Sequence, residues 1–193
     1  MWKNRTSSNY SKKSIIAYNM KHVISVEKNV SNKIFPIFKK IIDIEDYPNF
    51  IPYCSQVIYK KSDKLNNGEF TGTIHFKWKI LHKSFTSHVA CFFYTDTNIC
   101  NIQLQEIARN LHKIKEMEDK YSEYLSFIEI KIQSNESIFH TMNGSWKLKR
   151  KDKNTTSVSF TMNVGLQNSL LNKILKLNIE AVCFRIYNAI VEQ

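Results

Sequence analysis

The chain has 193 residues, of which 42% are hydrophobic and 23% charged, and its 28 basic and 17 acidic residues give a net charge of +11. A chain of this length fits one domain with a large core. Its composition excludes a membrane-spanning helix, since no apolar run approaches the roughly 20 residues required. The four glycines and four cysteines form neither a phosphate-binding glycine loop nor a CxxC metal motif.

The segment before the first acidic residue, Glu27, is basic: it contains Lys3, Arg5, Lys12, Lys13 and Lys21. This composition is typical of a mitochondrial transit peptide, and a basic disordered tail has the same composition. We assign residues 1–20 to this tail and begin the folded domain at residue 21. We attribute the remaining excess of lysine to a general compositional bias, because no RGG segment or recognition-helix pattern indicates binding to nucleic acid.

The predicted domain begins with a strand at residues 21–27 and continues into a helix, whose apolar side chains follow a helical period within residues 31–46. The stretch DYPNFIPYC, residues 46–54, then contains two of the three prolines. Proline disfavours the helical conformation of the residue before it, so we expect Tyr47 and Ile51 to be extended. The pattern predicts two short helices separated by a stiff elbow.

Alternating apolar residues after the elbow predict an antiparallel meander. Its clearest strand, residues 69–81, is expected to pair with residues 55–61 across a hairpin turn at Asn67-Gly68. Further strands are predicted at residues 83–94 and 98–105.

A charge-dense segment without glycine or proline, residues 109–132, interrupts the meander, and its apolar residues lie near helical spacing. We predict an inserted surface helix there. The meander resumes with residues 137–151 and 155–167, where Asn143-Gly144 fits either a second hairpin turn or a bulge. Residues 168–193 predict a long, broadly hydrophobic helix capped by Asn168 or Ser169, and such a helix needs the apolar face of the sheet to cover it.

This order of elements is that of the helix-grip fold of START and Bet v 1-like proteins. In this α+β fold a curved antiparallel sheet of roughly seven strands wraps around a long C-terminal helix, and two short helices follow the first strand. Four blocks, DIEDYPNFIPYCSQV, FKWKILHKSFTSHV, IFHTMNGSWKLK and TSVSFTMNVGLQNSLLNKIL, resemble the coenzyme Q-binding protein Coq10 family and its bacterial ribosome-association-toxin relatives, in the same order. The resemblance covers residues 21–106 and 136–193 and implies a START-like lipid-binding domain at residues 21–193.

The resemblance implies an apolar tunnel between the sheet and the terminal helix. This tunnel would bind ubiquinone or a related polyisoprenoid lipid, with no cofactor and no metal ion. A portal formed by Pro48, Pro52 and Leu170 is expected to contact the membrane. The expected ligand-binding residues are Tyr47, Phe50, Tyr53, Ile74, Phe76, Trp78, Phe85, Val89, Phe160, Met162, Val164, Leu171 and Ile174.

The same resemblance implies a lipid chaperone that supports respiration and quinone biosynthesis at the matrix face of the mitochondrial inner membrane, in peripheral contact with anionic lipid. We expect no enzymatic activity, because His75, Lys77 and His88 fall on polar strand faces and the histidines are therefore predicted at the surface. Three alternatives remain: a ribosome-associated regulator like the bacterial relatives, a START-like binder of another lipid, and a polyketide cyclase-like enzyme.

Overall fold

The computed structural model of the protein describes residues 22–60, 69–78, 81–95 and 125–192. Within these segments the strands are β1, His22–Val30; β2, Cys54–Lys60; β3, Glu69–Trp78; β4, Leu81–Thr95; β5, Leu125–Gln133; β6, Phe139–Arg150; and β7, Thr156–Leu166. They form one antiparallel sheet of seven strands in the spatial order β1-β7-β6-β5-β4-β3-β2. Strands β2 to β7 are a meander, and β1 returns to pair with β7 at one edge.

Two short helices follow β1: α1, Ile34–Ile42, and, after a 3-10 turn at Ile44–Asp46, α2, Tyr47–Phe50. The long helix α3, Ser169–Val191, follows β7. It begins at a predicted cap, because the side-chain oxygen of Asn168 accepts a hydrogen bond of 3.0 Å from the backbone N–H of Leu171. Among the described residues, no helix combines the length and the apolar content that crossing a membrane requires.

A buried aromatic cluster, formed by Trp146, Phe160 and Tyr187, lies where the C-terminal half of α3 packs on the middle of the sheet. The ring of Trp146 on β6 lies 4.4 Å from that of Phe160 on β7 and stacks on Tyr187 of α3 at 5.9 Å. The Tyr187 hydroxyl donates a hydrogen bond of 3.1 Å to the carbonyl of Val158. Since buried aromatic groups contribute much of the packing energy of a core, this contact fixes α3 on the sheet at this point.

Helix α1 packs on the sheet beside α3, as its helical stripe of apolar residues predicts. Phe38 of α1 is fully buried and meets Phe93 of β4 edge to face, with 5.3 Å between the ring centroids. The architecture predicted from the sequence is therefore confirmed: a curved seven-stranded antiparallel sheet around a long C-terminal helix, with two short helices after the first strand.

One predicted element is wrong in its second half. The inserted helix was expected to extend to residue 132, but Leu125–Gln133 is strand β5, which pairs with both β4 and β6. Leu125, Ile128 and Ile130 are fully buried. Leu125 and Ile128 have the spacing of a helix face, and only Ile128 and Ile130 alternate as in a strand. The partners that make this segment a central strand, β4 and β6, are specified by pairing and not by this local pattern. Residues 109–124 lie outside the described residues, as do the tail at 1–20, the turn at Asn67-Gly68 and the strand at 98–105.

The elbow also differs from expectation at one residue. Ile51 is extended, with φ −81° and ψ 120°, but Tyr47 is helical, with φ −51° and ψ −38°. The Tyr47 hydroxyl donates to the carbonyl of Ile41, and its ring packs on Phe50 with 5.6 Å between the centroids. These contacts outweigh the preference that Pro48 imposes on the preceding residue.

The Asn143-Gly144 pair lies inside β6, where it faces Asn163 and Met162 of β7 in continuous register. Neither a hairpin turn nor a bulge forms at this pair. The register shift of this strand occurs earlier, between Phe139 and Thr141.

Candidate ligand-binding cavity

An apolar cavity of about 160 Å³ lies between α3 and the inner face of the sheet. Helix α3 contributes one wall, and strands β4, β6 and β7 contribute the opposite one. The lining residues are Tyr53, Phe85, Ile138, Phe139, Met142, Met162, Val164, Leu166, Leu175, Asn178, Ile179, Val182, Cys183 and Ile186.

The position of the cavity follows from the sizes of the inward-facing side chains. Under the C-terminal half of α3, Trp146 and Phe160 fill the space up to Tyr187. Farther along the same strands, the inward positions hold the smaller pair Met142 and Val164, which face each other across β6 and β7. Side chains of this size leave part of the gap to the helix empty, so the cavity lies beside the aromatic cluster of Trp146, Phe160 and Tyr187.

The size of the cavity limits what it can enclose. An engineered apolar cavity of about 150 Å³ in another protein stays dry and binds benzene. The present volume of about 160 Å³ therefore suits one ring or a short branched alkyl group. The predicted tunnel for a whole polyisoprenoid tail is larger than this.

The ionisable groups near the cavity are neutral or lie at its edge. Burial raises the pKa of the Cys183 thiol from 9.0 to about 12, so this lining group stays protonated at neutral pH. Burial likewise raises the pKa of Cys91 to about 12 and that of Cys54 to about 11. A protonated thiol is a poor nucleophile and a poor metal ligand, and no cluster of metal-ligating side chains exists within the described part of the chain.

The rim of the cavity carries a tyrosine in an unusual backbone conformation. Tyr53, the last residue before β2, has φ 68°, in the left-handed region that disfavours residues with a Cβ atom. Its carbonyl accepts a hydrogen bond of 2.9 Å from the backbone N–H of Lys77. The Arg185 guanidinium donates to its hydroxyl and lies 5.9 Å from its ring centroid. Tyr53 thus links the elbow after α2 to helix α3 at the cavity edge.

The structure brings four of the residues predicted to bind a ligand to the cavity wall: Tyr53, Phe85, Met162 and Val164. Binding by these residues stays a prediction. Phe76 and Trp78 have side chains outside the described part of the molecule.

The other predicted residues lie elsewhere. Phe160 and Val89 are buried in the core, and Tyr47, Phe50 and Ile74 pack against the core while half-buried. Ile74 lies directly opposite the lining residue Phe85 on β4, but its own side chain does not line the cavity. Of the residues predicted near the portal, Leu171, Ile174 and Pro52 are half-buried, whereas Pro48 and Leu170 are exposed.

None of the α3 residues that line the cavity is among the predicted ligand-binding residues. The residues Leu175, Ile179, Val182 and Ile186 recur every three or four positions, which is the spacing of one helix face. That spacing was a usable signal. It did not reveal which of the several apolar stripes of α3 turns towards the cavity, because that depends on how Tyr187 docks against Val158.

The prediction that the histidines lie at the surface is wrong for His22. This residue is 7% exposed on the inner face of β1, opposite the lining residue Val164, and its Nε2 has no hydrogen-bond partner among the described residues. His75 is half-buried on β3, and its Nε2 is buried without a hydrogen-bond partner among the described residues, so the prediction fails in part for this residue as well. His88 and His140 are exposed, as predicted. The sequence pattern placed residue 22 on the edge of the predicted strand, where its inward direction was not evident.

Residues 37–191 match the model of a protein family described as polyketide cyclase/dehydrase and lipid transport. The chain belongs to this family. None of the curated proteins matches the sequence significantly.

Solved structures of similar fold are distant in sequence. The Zhui aromatase/cyclase of a Streptomyces species has a TM-score of 0.60 at 12% identity, over 89% of this chain and 92% of that one. The STAR-related lipid transfer protein of Xanthomonas axonopodis has a TM-score of 0.59 at 10% identity, over 95% and 96% of the two chains. Human STARD10 has a TM-score of 0.56 at 8% identity, over 95% and 73%. At these identities the likeness shows the fold alone.

Membership in the polyketide cyclase/dehydrase and lipid transport family corrects one expectation. The sequence led us to exclude enzymatic activity, but the family joins cyclases and dehydrases with lipid transport proteins, and proteins of the same fold include an aromatase/cyclase. The exclusion rested on the polar strand faces of His75, Lys77 and His88, and the mixed membership of the family overturns it. What the family does show is a fold suited to hydrophobic ligands.

Proposed function

We propose that the protein binds an amphipathic lipid whose apolar part enters the cavity between α3 and the sheet, and that this lipid is a polyisoprenoid quinone of the coenzyme Q type. The observation that carries the proposal is the cavity itself, whose lining is apolar apart from Tyr53, Asn178 and the neutral thiol of Cys183. A concave apolar site with few polar groups is the usual form of a lipid site. The quinone is suggested by the four sequence blocks that resemble the Coq10 family.

The cavity volume indicates how such a ligand would sit. Burying one CH2 group gains about 0.8 kcal/mol, so a single isoprenoid unit of about five carbons gains about 4 kcal/mol, which alone corresponds to a Kd of about 1 mM. Tighter binding needs more of the tail to leave water. Helix α3 is attached to the sheet in both halves. The Tyr187 hydroxyl donates to the carbonyl of Val158 in the C-terminal half, and the side-chain oxygen of Asn172 accepts a hydrogen bond of 3.0 Å from the backbone N–H of Leu166 in the N-terminal half.

The outer face of the same half of α3 supports a membrane contact. Leu170 is 66% exposed and Leu177 is 83% exposed, and the exposed Lys173 and Lys176 flank Leu177 on the helix. Apolar side chains beside lysines suit the surface of an anionic bilayer, where each lysine contributes about 1 kcal/mol. We therefore propose that the protein takes up its lipid from an anionic membrane, and a location at the matrix face of the mitochondrial inner membrane stays part of this proposal.

The test is the identity of the lipid that co-purifies with the protein. Lipids would be extracted from three purified proteins: the wild type, Val182→Phe, which places a ring in the cavity, and Ala181→Phe, which adds the same ring at an exposed position of the same helix. Mass spectrometry should find an isoprenoid quinone in the wild type and in Ala181→Phe, and much less in Val182→Phe.

Two other results are informative. If a different lipid co-purifies and is reduced in Val182→Phe, the proposed ligand changes from a quinone to that lipid, and the cavity remains the lipid-binding site. Equal amounts of lipid in all three proteins, or none, would contradict the proposal.

A further inference from the structure

We propose that Arg185, held against Tyr53 at the cavity rim, binds the polar end of the ligand, and that this polar end carries a hydrogen-bond acceptor oxygen of a carbonyl or carboxylate group. The inference rests on the proposed function, which places the apolar part of the ligand in the cavity. It adds the chemical class of the head group, which the apolar lining does not specify.

The position of Arg185 on α3 places it at the edge of the lining stripe. It lies one turn after Val182 and directly before Ile186, and both of these residues line the cavity. Its guanidinium donates to the hydroxyl of Tyr53, which also lines the cavity, and lies 5.9 Å from the centroid of that ring. Arg185 itself is exposed. The charge therefore lies where the apolar cavity meets water.

The bonding of Arg185 leaves most of its donors available. A guanidinium has five N–H donors and no acceptor. It pairs best with carboxylate and phosphate oxygens, and it also donates to neutral carbonyl oxygens. Within the described residues, Arg185 makes no ion pair: the ion pairs there join Lys28 to Glu192, and Lys131 and Lys147 to Glu129. Its hydrogen bond to Tyr53 orients the group without neutralising its charge.

The backbone conformation of Tyr53 indicates that the folded protein holds this ring next to Arg185 before a ligand binds. A tyrosine at φ 68° is conformationally unfavourable, and such residues cluster at ligand sites. The backbone N–H of Lys77 donates to the Tyr53 carbonyl at 2.9 Å and holds the residue at the end of the elbow. The ring therefore stays at the rim, where it can orient the guanidinium before a ligand arrives.

Asn178, the amide on the cavity lining, is less suited to this task. Its side-chain N–H donates at 2.9 Å to the carbonyl of Ile174 on the same helix. This bond uses part of its capacity to donate, and a neutral amide forms weaker hydrogen bonds than a guanidinium does. Arg185 is therefore the group that we expect to select the ligand head.

Three small probes with the same skeleton test the inference: butylbenzene, 5-phenylpentan-2-one and 4-phenylbutyrate. They share a phenyl ring on a three-carbon chain and differ in whether that chain carries a methyl, an acetyl or a carboxylate group. Dissociation constants would be measured by calorimetry for the wild type, Arg185→Gln, and the control Lys39→Gln, which removes an exposed charge from α1 away from the lining.

We expect Arg185→Gln to weaken phenylbutyrate binding by about twofold to fivefold, the usual effect of losing an ion pair at an exposed charge. Butylbenzene binding should not change, and Lys39→Gln should bind all three probes as the wild type does. If Arg185→Gln weakens the binding of phenylbutyrate alone, Arg185 recognises an ionised head group. If it also weakens the binding of phenylpentanone, Arg185 recognises any acceptor oxygen, including that of a quinone.

Two results would overturn the inference while leaving the proposed function intact. Arg185→Gln could bind every probe like the wild type, or it could weaken butylbenzene as much as phenylbutyrate, which would indicate a role in shaping the cavity. Tyr53→Phe, which keeps the ring and removes the hydroxyl, gives a second variant and should weaken phenylbutyrate less than Arg185→Gln does. If no probe binds the wild-type protein, the proposed function fails and the inference fails with it.

Discussion

Replacing Val182 by phenylalanine should block the cavity while leaving the fold intact. Val182 lines the cavity of about 160 Å³ from the α3 side. If the added ring fills about half of this volume, at about 24 cal/mol per Å³ it gains about 2 kcal/mol. Imperfect fit of a larger side chain typically costs about 1 to 3 kcal/mol. The two effects nearly cancel, so the free energy of unfolding should change by no more than about 1 kcal/mol.

The binding result should be much larger than the stability result. Urea denaturation would give the free energy of unfolding, and titration with butylbenzene would give the affinity of the cavity. We expect Val182→Phe to lose butylbenzene binding, whereas Ala181→Phe, whose new ring lies in solvent, should bind it like the wild type. Wild-type affinity in Val182→Phe, with the fold intact, would refute the assignment of the cavity as the ligand site.

Three further predictions follow from the core, the buried thiols and the exposed leucines. Trp146→Ala should lower the free energy of unfolding, measured by urea denaturation, by about 3 to 5 kcal/mol, because Trp146 is only 1% exposed. Phe92→Ala, at a position that is 39% exposed, should lower it by less than about 1 kcal/mol. Equal decreases in the two variants would contradict this prediction. The folded protein keeps the Cys183 proton up to a pKa of about 12, while the unfolded chain releases it near 9.0, so stability should fall as the pH rises between these values. Cys183→Ser should reduce the slope of unfolding free energy against pH by about 1.4 kcal/mol per pH unit, measured by urea denaturation at several alkaline pH values. An unchanged slope would show that folding does not raise the pKa of this thiol. Leu177→Ser should reduce co-sedimentation of the protein with anionic liposomes by up to about tenfold without lowering its melting midpoint. The control Ala181→Ser should sediment with the liposomes as the wild type does. Unchanged sedimentation of both variants would contradict the proposed membrane contact.

The fold was predictable because its signals are local and repeated. The inward residues of β7 alternate without interruption, and the Asn168 cap begins α3 where predicted. The segment that forms β5 was misread, because its place in the centre of the sheet depends on pairing with β4 and β6 rather than on its own periodicity. Sequence spacing specifies a face, but it does not specify the neighbour that this face meets.

The site was less predictable for a related reason. A cavity is the space that side chains leave unfilled, and its position depends on differences in size between neighbouring rows of the sheet. Val164 and Phe160 share one face of β7, yet Val164 lines the cavity and Phe160 is core. Nor does any local pattern predict that Tyr53 and Arg185, which are 132 residues apart, meet at the rim.

The most direct test of the account is where a small apolar ligand binds. Methyl-detected NMR during a titration with butylbenzene reports on each wall of the cavity separately. The account predicts saturable shifts for the methyl groups of Val164, Ile179 and Val182, which line the cavity. The NMR signals of the methyl groups of Ile34, a buried residue of α1 that does not line the cavity, and of Leu177, exposed on α3, should not shift. Shifts confined to Leu177, or no saturable shift in the lining methyl groups, would contradict the claim that this cavity is the ligand site.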